Sequence, residues 1–157
     1  LAVAQMNMAL DIPFTAGKIL EKEIAAGNVE GTKKNLEILM QAWLSAREFH
    51  KAIAVIDRLA PLSGDGEYYM RKANIYNELG EWQNAADAAE QALEAGVKHP
   101  EKAHMLAGMA YSELSRFQDS VSAFRRARQA ADSNGRKAAD AWIDFVQEKI
   151  QIANATR

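Results

Sequence analysis

The stretch "NELGEWQNAADAAEQAL", residues 77–93, places Trp82 two residues after Gly80 and then sets five alanines within residues 85–92. A large aromatic beside a run of small side chains raises the question of what packing needs both. Two further stretches of the chain answer it. Thirty-three residues upstream, residues 44–60 read "LSAREFHKAIAVIDRLA", and thirty-five downstream, residues 112–128 read "SELSRFQDSVSAFRRAR". Phe49, Trp82 and Phe117 align, as do Ala52, Ala85 and Ser120, then Ile56, Ala89 and Phe124, then Leu59, Ala92 and Ala127. Upstream of the turn, Trp43, Tyr76 and Tyr111 align as well. Three copies at this spacing are a repeat array.

Composition excludes several classes. The 157 residues suffice for one compact domain or four to five short helical repeats. Apolar residues at 48% and charged residues at 25% give an ordinary water-exposed balance. A net charge of −2 gives no whole-molecule attraction to nucleic acid or anionic membrane. The absence of cysteine removes disulfides and thiolate metal sites. No run of about 18 apolar residues is present to span a membrane. The chain opens at Leu1 with no Met and no basic stretch, which reads as a piece of a longer protein.

Each of the three prolines marks a boundary. Pro13 and Pro100 suit the first turn of a helix, Gly96 suits a left-handed cap ahead of Pro100, and Pro61 is expected to stop the helix before it. Apolar residues recur at three and four between these marks, and no alternating β-branched run suggests a strand. The expected helices are 2–10, 13–26, 33–46, 49–60, 66–79, 82–95, 101–114, 117–131 and 136–153. The turns within pairs are so short that paired helices must be antiparallel neighbours. Close crossing then needs small residues: Ala73 with Ala85 in one pair, Gly108 with Ser120 in the next. Trp82 or Phe117 covers the open end, and Ala92 and Ala127 let the next pair stack. Each pair buries too little alone, so stability comes from neighbours.

These positions resemble the tetratricopeptide repeat. One copy holds His104, Ala107, Gly108, Tyr111, Phe117, Ser120, Phe124 and Ala127 in the family's order. A second holds Tyr69, Lys72, Ala73, Tyr76, Gly80, Trp82, Ala85, Ala89 and Ala92, and a looser third runs from Leu36 and Trp43 to Leu59. A degraded first copy keeps Ala4, Leu10, Ala16 and Leu20. The resemblance implies an all-α, right-handed α-solenoid of antiparallel helix pairs. Residues 1–157 form a single repeat domain, with repeats at about 1–30, 33–65, 66–100 and 101–135 and a capping helix at 136–153. Five positions depart from the pattern. Asp11, Arg47 and Ser115 replace the turn glycine kept as Gly80, so those turns are expected to adopt another geometry, since a side chain at positive φ costs about 1 kcal/mol or more. Met40 replaces a small residue, which suggests a splayed second pair. Glu23 stands where a small apolar residue is usual.

The family's first helices line a concave groove, and mapping through the repeats places Gln41, Leu44, Ser45, Met70, Asn74, Asn77 and Glu78 there. Met105, Met109, Ser112 and Glu113 follow, then Asp140, Asp144 and Gln147 on the last helix. Amides offer a donor and an acceptor to a peptide backbone, methionines adapt to varied apolar side chains, and the acids favour a cationic ligand. The expected function is a non-catalytic scaffold that holds a protein segment. Lys34, Lys102 and Lys137 are edge contacts at most and do not make the basic clamp that grips chaperone tails.

Other features carry less. The basic run 124–137 reads as a solvated outer face. His99, Glu101 and His104 have poor metal spacing, "SGDGE" (63–67) lacks the lysine and strand of a phosphate loop, and no nucleophile–base constellation is present. Neither cofactor nor metal is expected. The wording of residues 96–124, of "AADAWIDFVQ" (138–147) and of residues 11–30 is similar to tetratricopeptide proteins that accompany TonB systems of Gram-negative bacteria. That likeness implies a periplasmic location, TonB, ExbB and ExbD as partners, and the C-terminal half of a longer repeat protein. Two alternatives remain: a structural or self-associating repeat segment, and an accessory domain of a larger enzyme.

Overall fold

The computed structural model describes residues 1–9 and 12–155, without the side chains of Met6 and Ala9. Leu10 and Asp11, expected as a repeat position and a turn residue, lie outside the described residues. Only helices, turns and loops occur among the described residues. The chain divides into two compact units, Leu1–Gly64 and Asp65–Arg157.

The first unit holds α1 (Ala2–Ala9), α2 (Pro13–Ala25), α3 (Lys33–Ser45) and α4 (Phe49–Ser63), each packed on the next. Its centre is Trp43, 1% exposed, which meets Phe14 edge-on at 5.8 Å. Gly17 lies under the indole: a Cβ there would sit 2.8 Å from Trp43 Cε3. Leu20, Leu36, Leu39, Ile56 and Leu59 complete this core. Met40 is also buried, so the larger residue is accommodated within the α3–α4 pair. Glu23 is half-buried near the end of α2, where its carboxylate accepts from Asn28 Nδ2 at 3.0 Å. Pro61 does not stop α4. It is exposed in the last turn, where the one backbone bond it removes costs little, and the helix ends at Gly64 with φ 62.

The second unit holds α5 (Gly66–Leu79), α6 (Trp82–Ala95), α7 (Pro100–Glu113), α8 (Phe117–Ala130) and α9 (Ser133–Ala155). Successive helices pack, and α7 also touches α5 and α9, so the odd-numbered helices form one layer. The alanines of residues 85–92 form the contact between layers: Ala73, Ala85, Ala86 and Ala89 are buried against Leu106, Ala107 and Ala110, with Trp82 and Tyr76 over them. In the next pair Ser120 Oγ donates to the Gly108 carbonyl at 2.7 Å, and a Cβ on Gly108 would fall 2.6 Å from Phe124 Cε1. Phe124 stacks on Trp142 of α9 at 5.4 Å. Helix α9 starts at Ser133, three residues earlier than expected, because the Asp132 carboxylate accepts from the Gly135 N–H at 2.8 Å and caps it.

The turns correct a second expectation. Arg47 (φ 57) and Ser115 (φ 59) take the same left-handed conformation as Gly80 (φ 72). All three close alike: Arg47, Gly80 and Ser115 donate to Leu44, Asn77 and Ser112, and the following residues donate to Trp43, Tyr76 and Tyr111. These two bonds satisfy carbonyls at the helix end and offset the side-chain strain. Ser115→Gly should therefore raise unfolding stability by about 0.5–1 kcal/mol, read from the urea midpoint at unchanged slope. A loss of stability would mean the serine is unstrained.

Candidate partner-binding groove

Helices α5 and α7 and the start of α9 surround a cavity of about 840 Å³ within the second unit. Met70 from α5 and Met105, Leu106 and Met109 from α7 supply an apolar lining, and Ala130, Ala131 and Ala138 continue it. The helical period explains the set: Met70 and Asn74 are one turn apart, as are Met105 and Met109. Asn74 Nδ2 donates to the Met70 carbonyl at 2.9 Å, which commits one of its two N–H donors to its own helix and leaves the other and the oxygen for a ligand.

Half of the cavity's six polar lining residues are acidic. Glu67, Glu101 and Asp132 line it, with Lys102 as the one lysine or arginine among its lining residues. Glu67 accepts from the Lys98 N–H at 2.9 Å and fixes the α6–α7 loop. Glu101 Oε1 lies 3.1 Å from His99 Nδ1, and Asp132 caps α9. Each carboxylate is thus positioned by a local bond. The α9 side has no functional side chain: Gly135 and Ala138 face the cavity, and a Cβ on Gly135 would meet Ala131 Cβ at 2.7 Å.

Four expected residues therefore converge here: Met70, Asn74, Met105 and Met109. Asn77, Glu78 and Glu113 lie further along α5 and α7 and do not line the cavity. Ser112 is not a surface residue at all. It is 3% exposed, and its hydroxyl has no hydrogen-bond partner. On α9 the expected register differs by one. Ala139 and Val146 are the buried residues, thirty-six positions after Ala103 and Ala110, whereas the other copies step by 33 or 35. Asp140 consequently turns to α8, where its carboxylate accepts from Arg128 Nε at 2.6 Å. Asp144 and Gln147 also lie outside the cavity lining, and Gly135 and Ala138 take the facing positions. Gln41 belongs to the first unit, where its Nε2 donates to Ser45 Oγ at 3.3 Å. The sequence reading missed Glu67, Glu101, Asp132 and the two small α9 residues as lining. The signal for Glu67 was its place in the first turn of α5, beside the Asp65 cap. Lys102 alone of the three edge lysines borders the cavity.

The basic run is not wholly solvated. Arg128 is tied to Asp140, and Arg136 Nε donates to the Ala131 carbonyl at 3.0 Å. A pit of about 170 Å³ includes Glu90, Tyr111, Arg116, Asp119 and Arg126. Tyr111 donates to Glu90 Oε1 at 3.4 Å, and the Arg116 guanidinium lies 4.5 Å over its ring and bonds Asp119. Burial, then the Glu90 charge, raises the Tyr111 pKa. Nearby His104 has its pKa lowered by burial, with Glu90 opposing and Arg126 reinforcing the shift. Its Nδ1 is buried without a partner. The pit is small, and its Arg116 and Asp119 are paired with each other. Among the described residues, no group of three or more His, Cys, Asp or Glu could hold a metal ion, and no helix is long and apolar enough to cross a membrane.

The fold is similar to that of several solved structures, two of them tetratricopeptide-repeat domains. It is similar to a MamA double mutant (TM-score 0.63, 15% identity, 98% of this chain and 94% of that one). It is similar to the Sgt2 tetratricopeptide domain of Aspergillus fumigatus (TM-score 0.64, 22% identity, 78% and 82%). The Arabidopsis OM64 tetratricopeptide domain also matches (TM-score 0.60, 20% identity, 74% and 95%). No protein-family model and no curated protein matches the chain. At these identities the likeness establishes an all-α solenoid fold of antiparallel helix pairs.

Proposed function

We propose that this chain is a non-catalytic interaction scaffold and that the α5–α7–α9 cavity holds a protein segment. The carrying observation is the convergence of Met70, Met105 and Met109 with Asn74 in one cavity of about 840 Å³. Methionine side chains reshape around different apolar residues at low cost, and the Asn74 side-chain oxygen can accept from a backbone or side-chain N–H. Glu67, Glu101 and Asp132 outnumber Lys102, which favours a segment with Lys or Arg beside its apolar anchor. The resemblance of residues 96–124 makes TonB, ExbB and ExbD the first partners to screen and the periplasm the expected compartment; the comparisons with known structures do not add to it.

The test is an array of twelve-residue peptides probed with the fluorescent chain. The array includes tiled TonB, ExbB and ExbD sequences and synthetic peptides that pair Leu, Met or Phe with Lys or Arg. The expected hits carry an apolar residue next to a basic one. Met70→Glu with Met109→Glu should weaken them at least tenfold, the effect of removing about 1.4 kcal/mol from a buried contact. An empty array, or hits unchanged by both substitutions, overturns the reading.

A further inference from the structure

Helix α9 buries Ala139 and Val146, the latter against Val121 and Phe124 of α8, and leaves a second apolar face that is only partly covered, through Trp142. Ala138, Ala141, Trp142 and Phe145 form a shallow hollow of about 320 Å³ there, and Phe145 is 44% exposed. These positions recur at three and four, so they make one stripe along the helix. Lys149 is the polar group over it, with its Nζ 4.7 Å from the Phe145 ring. The edge of the stripe carries exposed Lys137 at one end and exposed Asp144 and Glu148 at the other.

We propose that this face pairs with the same face of a second copy, the two α9 helices running antiparallel about a twofold axis near Ala141–Trp142. A twofold interface must be self-complementary: residue i meets j, and j meets i. The stripe meets that condition in size. Antiparallel pairing about this point sets small Ala138 opposite large Phe145, and Ala141 opposite Trp142, so rings enter the spaces above alanines. It meets the condition in charge as well. The twofold keeps like edges together, so Lys137 of each copy falls between Asp144 and Glu148 of the other. The stripe borders the peptide cavity at Ala138, which lines both, while Ala141, Trp142 and Phe145 lie outside the cavity lining; the pairing does not depend on the cavity's function.

The experiment is sedimentation velocity on the chain across concentrations, with three sets of variants. The parent chain is expected to self-associate. Phe145→Asp should raise the dissociation constant at least about thirtyfold, as loss of a central aromatic anchor does. Lys137→Glu and the double variant Asp144→Lys with Glu148→Lys should each lose self-association, yet assemble with one another when mixed, because only the mixture restores opposite charges. Ala141→Cys, the one thiol in a chain without cysteine, should form a disulfide between copies under mild oxidation. A parent chain monomeric at every concentration overturns the proposal. So does association that survives Phe145→Asp, or charge variants that fail to pair on mixing while both keep the parent's helical circular dichroism. The charge and cysteine variants are all at exposed positions, so they remain informative if Phe145→Asp does not fold.

Discussion

Phe124→Ala is expected to lower unfolding stability by about 3–5 kcal/mol, the loss typical of a fully buried aromatic cut to a methyl group. The ring is 0% exposed, stacks on Trp142 and fills the space that Gly108 leaves, so its removal opens a hole shared by α7, α8 and α9. Gly108→Ala alone should also destabilise, by about 1–3 kcal/mol, because its Cβ would press on backbone-anchored Phe124. In the Phe124→Ala background the sign should reverse. The new methyl then enters the vacated space, and alanine gains about 1 kcal/mol over glycine inside a helix. Urea denaturation of the four proteins in this double-mutant cycle reads the coupling. If the two substitutions simply add, the close approach of Gly108 to Phe124 is not what holds the pair.

Trp43→Ala should have a comparable effect in the first unit, about 3–5 kcal/mol. Trp43 touches Phe14 and covers Gly17, and Lys51 Nζ lies 4.4 Å above its ring. Its indole N–H is buried without a hydrogen-bond partner, so the side chain contributes through apolar contact and stacking rather than polar bonding. Hydrogen exchange should show the loss of protection concentrated in α2, α3 and α4, the helices whose packing the indole joins. Equal loss across α7, α8 and α9 would show that the effect is not confined to neighbours.

The repeat was legible because its demands are local and recur. A turn of two residues forces helices together, close helices force small residues, and three copies of the same solution expose the pattern. The turn conformation was misread at Arg47 and Ser115 because side-chain preference was weighed without the two closing hydrogen bonds, which depend on where the next helix begins. Pro61 was misread similarly: a proline is costly only where its lost bond is shielded from water. The groove was legible on α5 and α7, where register is set within each pair. It failed on α9, since the step from α7 to α9 is thirty-six residues rather than thirty-three or thirty-five, which shifts the exposed positions by one. Asp140 then finds Arg128 instead of the cavity. Burial of Ser112 was likewise invisible, because a helix face looks polar in sequence whether or not a neighbour covers it.

The pattern of helix contacts has a kinetic consequence. Within each unit, among the described residues, helices pack on their immediate successors, and the main longer-range packing reaches two helices along, from α5 to α7 and from α7 to α9. No contact among these requires distant chain segments to find one another before anything is gained. Loop-closure entropy is therefore small at each step, and growth can start at any helix pair and proceed outward in either direction. Topologies of this kind fold in roughly microseconds to milliseconds, which leaves little time for the alanine-rich interior to be exposed to other chains during folding.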